Sequence, residues 1–547
     1  GVTVAGGLVW VTVRAGATPP ETPAAASAGD AARVVVSGDS TTDPALAEQG
    51  DLELFGATCA LLFNYPDRPF PEGARLLPEV ARGPPSVADG GRTYTFTIRS
   101  GFRFSPPSNE PVTAAAFERA IKRALNPRLG GSGPAGFLVR DIVGAREYRA
   151  GETRRLAGVS AQGKTLTVEL TEASSNLVER LSTRWFCAVP PDTPVDHEVG
   201  DLPSAGPYYI ASHVPDQSLL LRRNPNYGGE RPHELAEIRY AFGVSPRRGV
   251  EEVAAGRADY VIVDPLFSDD PLLKPEAFRR LTARYGPGSE AARAGRQQLF
   301  TEPNLNLYYF LFNRRRGPFA DVKLRRAVAY AIDRRALAPY AVLERGRPTD
   351  QFIPPGAPGF EDAAIYPLGG PDLAKARALA GAKRRRAVLY TCDLPDCTSQ
   401  AGILRADLRR IGIDLDVRQF PIGSDELFRR VRKPGEPWDL AYWNWLPEYA
   451  DPCDFIDIAL GPGGGMPAAV RDPAINEAIA DAARLRGEAR LSAYARLDRY
   501  LAADVLPAVP FATGTTTHFL SARMGCEVPH PVYGLDLAAL CIRPDSD

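Results

Sequence analysis

Two hydrophobic periodicities alternate along this chain of 547 residues, and the alternation indicates a mixed α/β fold. Residues 92–99 alternate apolar and polar side chains, which is the pattern of a half-buried strand. Residues 114–125 and 321–337 instead repeat apolar residues every three or four positions, which predicts amphipathic helices. At about 100–200 residues per domain, the length predicts more than one domain.

The second half of the chain carries the clearest order of elements. A short buried strand over 387–390, a helix over 400–411 and a strand over 413–417 form a β-α-β sequence. This order favours a partly parallel sheet, because a helix is the usual connection between parallel strands. A further strand is predicted over 439–445, and 472–506 is predicted to be largely helical.

Charge and hydrophobicity exclude two classes of protein. Lys and Arg number 65 against 66 Asp and Glu, so the net charge is −1, whereas a nucleic-acid binder would carry a basic excess. The most apolar early run, residues 2–13, is shorter than the roughly 20 residues of a membrane span and contains a glycine pair. We therefore expect no nucleic-acid partner and no membrane insertion by this chain.

The N-terminal segment differs in composition from the rest. Alternating apolar residues over 1–14 indicate a β-hairpin, and the Ala/Pro/Thr-rich residues 15–32 indicate a flexible linker, with ordered structure resuming at Arg33. Because the chain begins with Gly, we expect a processed product or a part of something longer. The hairpin is then a remnant of an upstream domain, or else a frayed or lobe-docked hairpin.

Cysteine usage leaves two alternatives. Disulfides in an oxidising compartment are the preferred interpretation over free thiols, although an odd number cannot all pair within one chain. Their spacing does not match a zinc site, so no metal site is predicted. The seven are Cys59, Cys187, Cys392, Cys397, Cys453, Cys526 and Cys541.

The sequence lacks the common catalytic motifs. None of its five histidines lies in H-E-x-x-H, no serine lies in G-x-S-x-G, and there is no phosphate-binding G-x-x-x-x-G-K-[ST] loop. Residues 461–465 are glycine-rich, but they lack the lysine and predict a mobile loop. We therefore expect neither an enzyme nor a cofactor.

An aromatic segment is the best candidate for a binding site. On the predicted strand 439–445, Trp443 and Trp445 share one face, and Pro447 ends the strand so that Glu448 lies in the loop beyond it. Ligands of open α/β sheets bind at the carboxyl ends of strands. Aromatic walls with one carboxylate suit a cationic or amine-bearing ligand. The alternative is an aromatic core strand followed by a solvated glutamate.

Six ordered segments resemble those of a known family. The chain resembles the family 5 extracellular solute-binding proteins, the oligopeptide- and dipeptide-binding components of ABC importers, from about Arg33 to the C-terminus. The segments are Leu77–Ala81 with residues 92–127, Gly206–Tyr208, Leu221–Tyr227, Gly256–Asp259, Tyr309–Asn313, and Pro318–Val322 with the helix that follows.

The resemblance implies a two-lobed, periplasmic-binding-protein-like clamshell of the α/β class. Its first lobe would be discontinuous, formed by 33–265 and 508–547, and its second lobe would span 300–507. Residues 266–299 would approach the first hinge. The chain would cross between the lobes twice, which makes hinge closure the natural motion.

The resemblance also bears on the aromatic segment. In peptide-binding members, an acidic residue three positions after a tryptophan pairs with the α-amino group of the peptide, and here Glu448 follows Trp445 at that spacing. The family usually has Asp there, and Glu reaches one methylene further. Some members carry an Arg three positions before that tryptophan, where this chain has Tyr442.

The residues after the glutamate agree with the family only in part. The pair Asp451-Pro452 matches, whereas Cys453 and Asp454 are not the usual residues. The predicted ligand-binding residues are Glu448, Trp445, Trp443, Tyr449 and Asp451.

The implied function is capture of a peptide or similar small solute between two lobes for an ABC permease. The protein would act as a monomer outside the cytoplasm, at the cell surface or in a periplasm-equivalent space, tethered through a missing N-terminal part. The alternative is a ligand-sensing domain of a larger multidomain regulatory chain, not coupled to transport.

Overall fold

The structure is a computed structural model. The predicted hairpin 1–14, most of the predicted linker and most of the glycine-rich segment 461–465 lie outside the described residues. The described residues are 31–48, 51–129, 134–263, 275–341, 346–421, 426–461 and 473–544.

The chain divides into two compact units. Among the described residues, unit one comprises 31–302 and 516–544, and unit two comprises 303–515. The chain therefore passes from one unit to the other twice. The predicted lobe boundaries stay a prediction, because compactness alone does not show which residues move together.

Unit one contains short helices and strands up to its first exit. The strands are β1 Ala31–Val35, β2 Phe63–Asn64, β3 Leu77–Pro78, β4 Ser86–Ala88, β5 Thr93–Thr97, β6 Val159–Gln162, β7 Thr165–Glu169, β8 Tyr208–Val214, β9 Ser218–Arg223, β10 Glu237–Ala241 and β11 Tyr260–Ile262. The helices are α1 Leu52–Thr58, α2 Ala114–Leu125, α3 Pro134–Leu138, α4 Ala145–Arg149, α5 Leu177–Leu181, α6 Pro246–Ala254, α7 Pro275–Tyr285 and α8 Glu290–Arg293.

Unit one is built on a mixed sheet and a smaller antiparallel one. β1 pairs in parallel with β10 and β11, and β10, β9 and β8 follow in antiparallel order. β4, β5, β7 and β6 form the antiparallel sheet. The predicted strand over 92–99 and helix over 114–125 are confirmed as β5 and α2. Since β1 begins at Ala31, the last two residues of the predicted linker belong to that strand.

Unit two contains the longer helices. Its strands are β12 Leu299–Phe312, which begins in unit one, β13 Arg347–Pro348, β14 Arg385–Cys392, β15 Ile413–Phe420, β16 Leu440–Trp445 and β17 Ala508–Leu520, which ends in unit one. Its helices are α9 Val322–Ala331, α10 Arg334–Leu337, α11 Leu373–Ala380, α12 Pro395–Arg409, α13 Glu426–Arg432, α14 Pro473–Arg484 and α15 Gly487–Tyr500.

The sheet of unit two has parallel and antiparallel pairs. β14 runs parallel to β15 on one side and to β16 on the other, and β12 pairs antiparallel with β16. The predicted β-α-β order is confirmed as β14, α12 and β15, with parallel pairing across the whole length of β14. Leu389 and Leu440 are fully buried, as the middle of such a sheet requires.

The C-terminal segment returns to unit one. Residues 518–520 of β17 pair antiparallel with β11. Two small antiparallel pairs follow, β18 Met524–Gly525 with β21 Cys541–Ile542 and β19 Pro529–His530 with β20 Gly534–Leu535.

The prediction of a single helix over 321–337 is wrong. α9 ends at Ala331 because Ile332 adopts an extended backbone, with ψ of 136°. Asp333 then starts α10, and its carboxylate accepts the Ala336 N–H at 3.0 Å. Asp is a strong N-cap residue, so it favours a new helix start over continuation of the old helix.

Six of the seven cysteines form disulfides, as preferred from the sequence. The bonds join Cys59 to Cys187, Cys392 to Cys397, and Cys526 to Cys541. Cys453 is buried and is not disulfide-bonded to any described residue. Among the described residues, no helix has both the length and the apolar character needed to cross a membrane.

Removing the long-range disulfide of unit one is expected to destabilise the protein by about 2–4 kcal/mol. Cys59 and Cys187 are 128 residues apart, so the bond restricts the unfolded chain strongly. Urea unfolding of the double variant Cys59→Ala/Cys187→Ala measures the loss. The matched control is Cys392→Ala/Cys397→Ala, whose separation is 5 residues and whose loss should be smaller. Equal losses would contradict an origin in chain entropy.

Candidate functional site

β16 brings the predicted site to the end of an interior strand of unit two. It lies between β14 and β12, and Trp445 and Trp443 pair with Leu307 and Tyr309 of β12. Leu440 at the start of β16 is fully buried, whereas Trp445 at its end is half-buried. The strand therefore carries its last side chain from the core of unit two to a partly exposed position, whereas residues 449–456 of the segment that follows are buried.

Trp443 lies inside unit two. Its side chain is 3% exposed, and its ring packs edge-on against Phe428 of α13 with 4.6 Å between the centroids. The guanidinium of Arg432 lies 5.4 Å from the centre of the same ring. These contacts explain the burial of Trp443 by the packing of α13 on the sheet. Its predicted role as a ligand wall stays a prediction.

One carboxylate oxygen holds both Trp445 and the loop of Glu448. Oδ2 of Asp454 accepts a hydrogen bond from the Trp445 indole Nε1–H at 3.1 Å and another from the Glu448 backbone N–H at 3.0 Å. Asp454 is 0% exposed and begins a short π-helical turn over Asp454–Ile458. This turn therefore fixes the two residues that the sequence singles out most strongly.

Sequence reasoning missed the role of Asp454. It noted the residue only as a departure from the family pattern. A signal was present, because acidic residues recur at every third position in Glu448, Asp451, Asp454 and Asp457. Such a spacing puts several carboxylates close together in a helical turn, and their mutual repulsion requires compensation that the sequence alone does not locate.

Glu448 and Asp454 influence each other electrostatically. Burial, and next the negative charge of Asp454, raise the pKa of Glu448 well above its usual value. Burial also raises the pKa of Asp454 to about 8, although the hydrogen bonds from Trp445 and Glu448 act in the opposite direction. At neutral pH the site therefore holds carboxyl groups that keep their protons unless a positive charge approaches.

Asp451 forms a buried ion pair. Arg490 of α15 donates to both of its carboxylate oxygens, from Nη1 at 2.7 Å and from Nη2 at 2.6 Å. The exposed fractions are 4% for Asp451 and 6% for Arg490. Burial lowers the pKa of Arg490, but the attraction of Asp451 outweighs burial and the net pKa is raised. The pair braces the loop against α15, and contact of Asp451 with a ligand stays a prediction.

The last acidic residue of the series, Asp457, is hydrogen-bonded to α15 and to the Cys453 thiol. Oδ2 of Asp457 accepts the Tyr494 hydroxyl at 2.7 Å and the Cys453 Sγ–H at 3.1 Å. Burial raises the pKa of Asp457 to about 7 and raises the pKa of the Cys453 thiol well above its usual value. The thiol is therefore unreactive at neutral pH. Tyr449 is fully buried, and its predicted ligand contact stays a prediction.

Comparison with known protein families shows to which family the chain belongs. The model of the bacterial extracellular solute-binding proteins, family 5 middle, matches residues 75–467, a range that includes β16 and the Glu448 loop. The chain belongs to this family. The resemblance inferred from the six sequence segments is thereby confirmed.

Two curated relatives of this family 5 protein come from Bacillus subtilis (strain 168). The dipeptide-binding protein DppE is 23% identical over 398 residues, which are 68% of this chain and 67% of the relative. The oligopeptide-binding protein OppA is 24% identical over 399 residues, which are 69% of this chain and 68% of the relative. Both relatives are named as binding proteins.

Solved structures show that the fold is shared. The clavulanic acid biosynthesis oligopeptide binding protein 2 superposes with a TM-score of 0.80 at 23% identity, covering 94% of this chain and 96% of the other. The unliganded open form of the murein tripeptide binding protein MppA superposes with a TM-score of 0.74 at 19% identity, covering 94% and 98%. The predicted α/β, periplasmic-binding-protein-like fold is confirmed.

Proposed function

We propose that this family 5 protein captures a peptide or a similar small solute outside the cytoplasm, by its positively charged group, and delivers it to an ABC importer. The observation that carries the proposal is the position of Glu448. Glu448 follows the end of β16, and its backbone N–H and the indole of the half-buried Trp445 are held by the same oxygen of Asp454. The relatives named for dipeptides and oligopeptides support the class of ligand.

The chemistry of this position favours an amine. A carboxyl group in a poorly solvated place gains most from a cation that arrives with its own hydrogen-bond donors. An indole beside it adds apolar contact area and attracts a cation to its face. Because Glu is one methylene longer than the Asp usual in the family, the charged end of the ligand would lie further from the backbone of the loop.

Of the two functions considered from the sequence, we propose only transport. Nothing in the structure or the comparisons favours the alternative of a ligand-sensing domain in a regulatory chain. The permease partner and action as a monomer belong to the same proposal, since the binding components of ABC importers hand their solute to a membrane permease.

Native mass spectrometry tests the proposal. The gently purified protein is measured as isolated, and then with an equimolar pool of di-, tri- and pentapeptides with free amino termini. The control is the same pool after N-acetylation. Selective capture of the free-amine pool, or a retained ligand that carries an amine, supports the proposal. Equal capture of the acetylated pool, or no capture of either pool, contradicts it.

A further inference from the structure

The two oxygens of Asp454 have unequal surroundings. Oδ2 accepts two hydrogen bonds, from Trp445 and from the backbone of Glu448, whereas Oδ1 is buried and has no hydrogen-bond partner among the described residues. An ionised carboxylate spreads its charge over both oxygens, so leaving one of them buried without a donor is costly. A neutral carboxylic acid lowers this cost, because its carbonyl oxygen accepts both hydrogen bonds and its other oxygen carries the proton, so that a neutral hydroxyl rather than part of a negative charge is buried without a partner.

We propose that Asp454 acts as a neutral, protonated positioning residue that holds Trp445 and Glu448 in place for the ligand, so that only Glu448 supplies charge to the anchor. The inference rests on the proposed function for its ligand, and it adds a residue and a protonation state that the family resemblance does not supply. It is carried by the two hydrogen bonds to Oδ2 and by the burial of Oδ1.

The charged and titratable neighbours agree with a neutral Asp454. From the loop, the negative charge of Asp451 raises the cost of ionising Asp454, and the Glu448 carboxyl lies close enough for its own pKa to respond to the charge of Asp454. From α15, Arg490 directs both Nη groups to Asp451. Two further neighbours, Tyr494 of α15 and Cys453 of the same turn, donate to Asp457. The hydrogen bonds that Arg490, Tyr494 and Cys453 make here therefore go to other carboxyl groups, and burial raises the pKa of Asp454 to about 8.

The consequence for binding follows from charge. If Asp454 keeps its proton, a ligand with one cationic group faces one carboxylate, and binding requires only that Glu448 release its proton to the solvent. As the pH rises through about 8, Asp454 ionises and a second negative charge appears beside Glu448. Affinity for a cationic ligand should then rise further. Because the raised pKa means that folding favours the protonated form, the contribution of Asp454 to stability falls as the pH rises from the ordinary carboxyl range to about 8, and is constant above that pH.

The first test needs no ligand. The indole ¹H–¹⁵N resonance of Trp445, assigned by its loss in Trp445→Phe, reports the state of its acceptor Asp454. Because the pKa of Glu448 is also raised, the resonance is followed in the Glu448→Gln background. We expect it to titrate near pH 8 there, to be flat when Asp454→Asn is added, and still to titrate when the matched control Asp457→Asn is added instead. A titration below pH 6, or one that persists with Asp454→Asn, would overturn the inference.

The second test measures affinity for the free-amine peptide pool at pH 7 by calorimetry. Asparagine copies the neutral acid, so Asp454→Asn should bind within about threefold of the unchanged protein, since such isosteric replacements keep the acceptor. Asp454→Ala removes the acceptor of Trp445 and Glu448 and should bind at least about tenfold more weakly. A loss in Asp454→Asn as large as that in Asp454→Ala would show that the charge is needed at pH 7 and would overturn the inference.

The two tests separate the inference from the proposed function. If Asp454→Ala does not fold, the indole titration and Asp454→Asn still decide whether the residue is neutral. A flat or acidic titration together with selective amine binding overturns the role of Asp454 and leaves the proposed function standing. If the unchanged protein binds no pool while the titration occurs near pH 8, the proposed function fails, and the inference fails with it as a statement about ligand binding.

Discussion

Replacing Glu448 with glutamine is expected to lower the affinity for an amine-bearing peptide by about 2–5 kcal/mol, with the fold intact. The substitution keeps the size and shape of the side chain and removes only its ability to become charged. In a poorly solvated place, a ligand ammonium group then lacks its counter-charge and loses a charge-assisted hydrogen bond. Calorimetry with the free-amine peptide pool measures the difference, and circular dichroism checks the fold.

The control for this variant is Glu488→Gln, which changes an exposed glutamate in the first turn of α15. A surface substitution of this kind should change the affinity by less than about 0.5 kcal/mol. If Glu448→Gln behaves like this control, Glu448 is a solvated residue and not an anchor. A neutral ligand that binds Glu448→Gln with full affinity would disprove the amine anchor while leaving the aromatic wall possible.

Replacing Arg490 with methionine is expected to destabilise the protein by about 3–5 kcal/mol. Arg490 supplies both hydrogen bonds across the ion pair with Asp451, and both residues are nearly inaccessible to water. Methionine fills part of the space but leaves the Asp451 carboxylate buried without its counter-charge. Urea unfolding monitored by tryptophan fluorescence measures the loss in free energy of unfolding.

Two further variants test the origin of this effect. In the double variant Asp451→Asn/Arg490→Met no buried charge is left over, so it should recover a large part of the stability lost by Arg490→Met. In the surface control Arg484→Met, the broken ion pair with Asp481 is exposed, and the loss should stay below about 1 kcal/mol. A double variant no more stable than Arg490→Met would argue for lost packing rather than an uncompensated charge.

Local patterns predicted the elements that lead to the site. The alternation over 439–445 and the proline at 447 predicted β16 and its end, because the period of a strand and the missing N–H of proline act within a few residues. The same holds for α2 and for β14, α12 and β15. The difference over 321–337 also has a local origin, since Asp333 is the cap that begins α10 and not part of one continuous helix.

The sequence by itself determined the α/β class, the family and the position of Glu448 after Trp445, because these depend on residues close together in the chain or on the order of short motifs. Only the tertiary structure decided which groups surround Glu448. Arg490 lies 39 residues beyond Asp451, and Cys59 pairs with Cys187 over 128 residues. Such partners are set by how helices and strands pack, which no local period encodes. The protonation state inferred for Asp454 has the same origin, since it depends on burial and on donors that packing places around one carboxyl group.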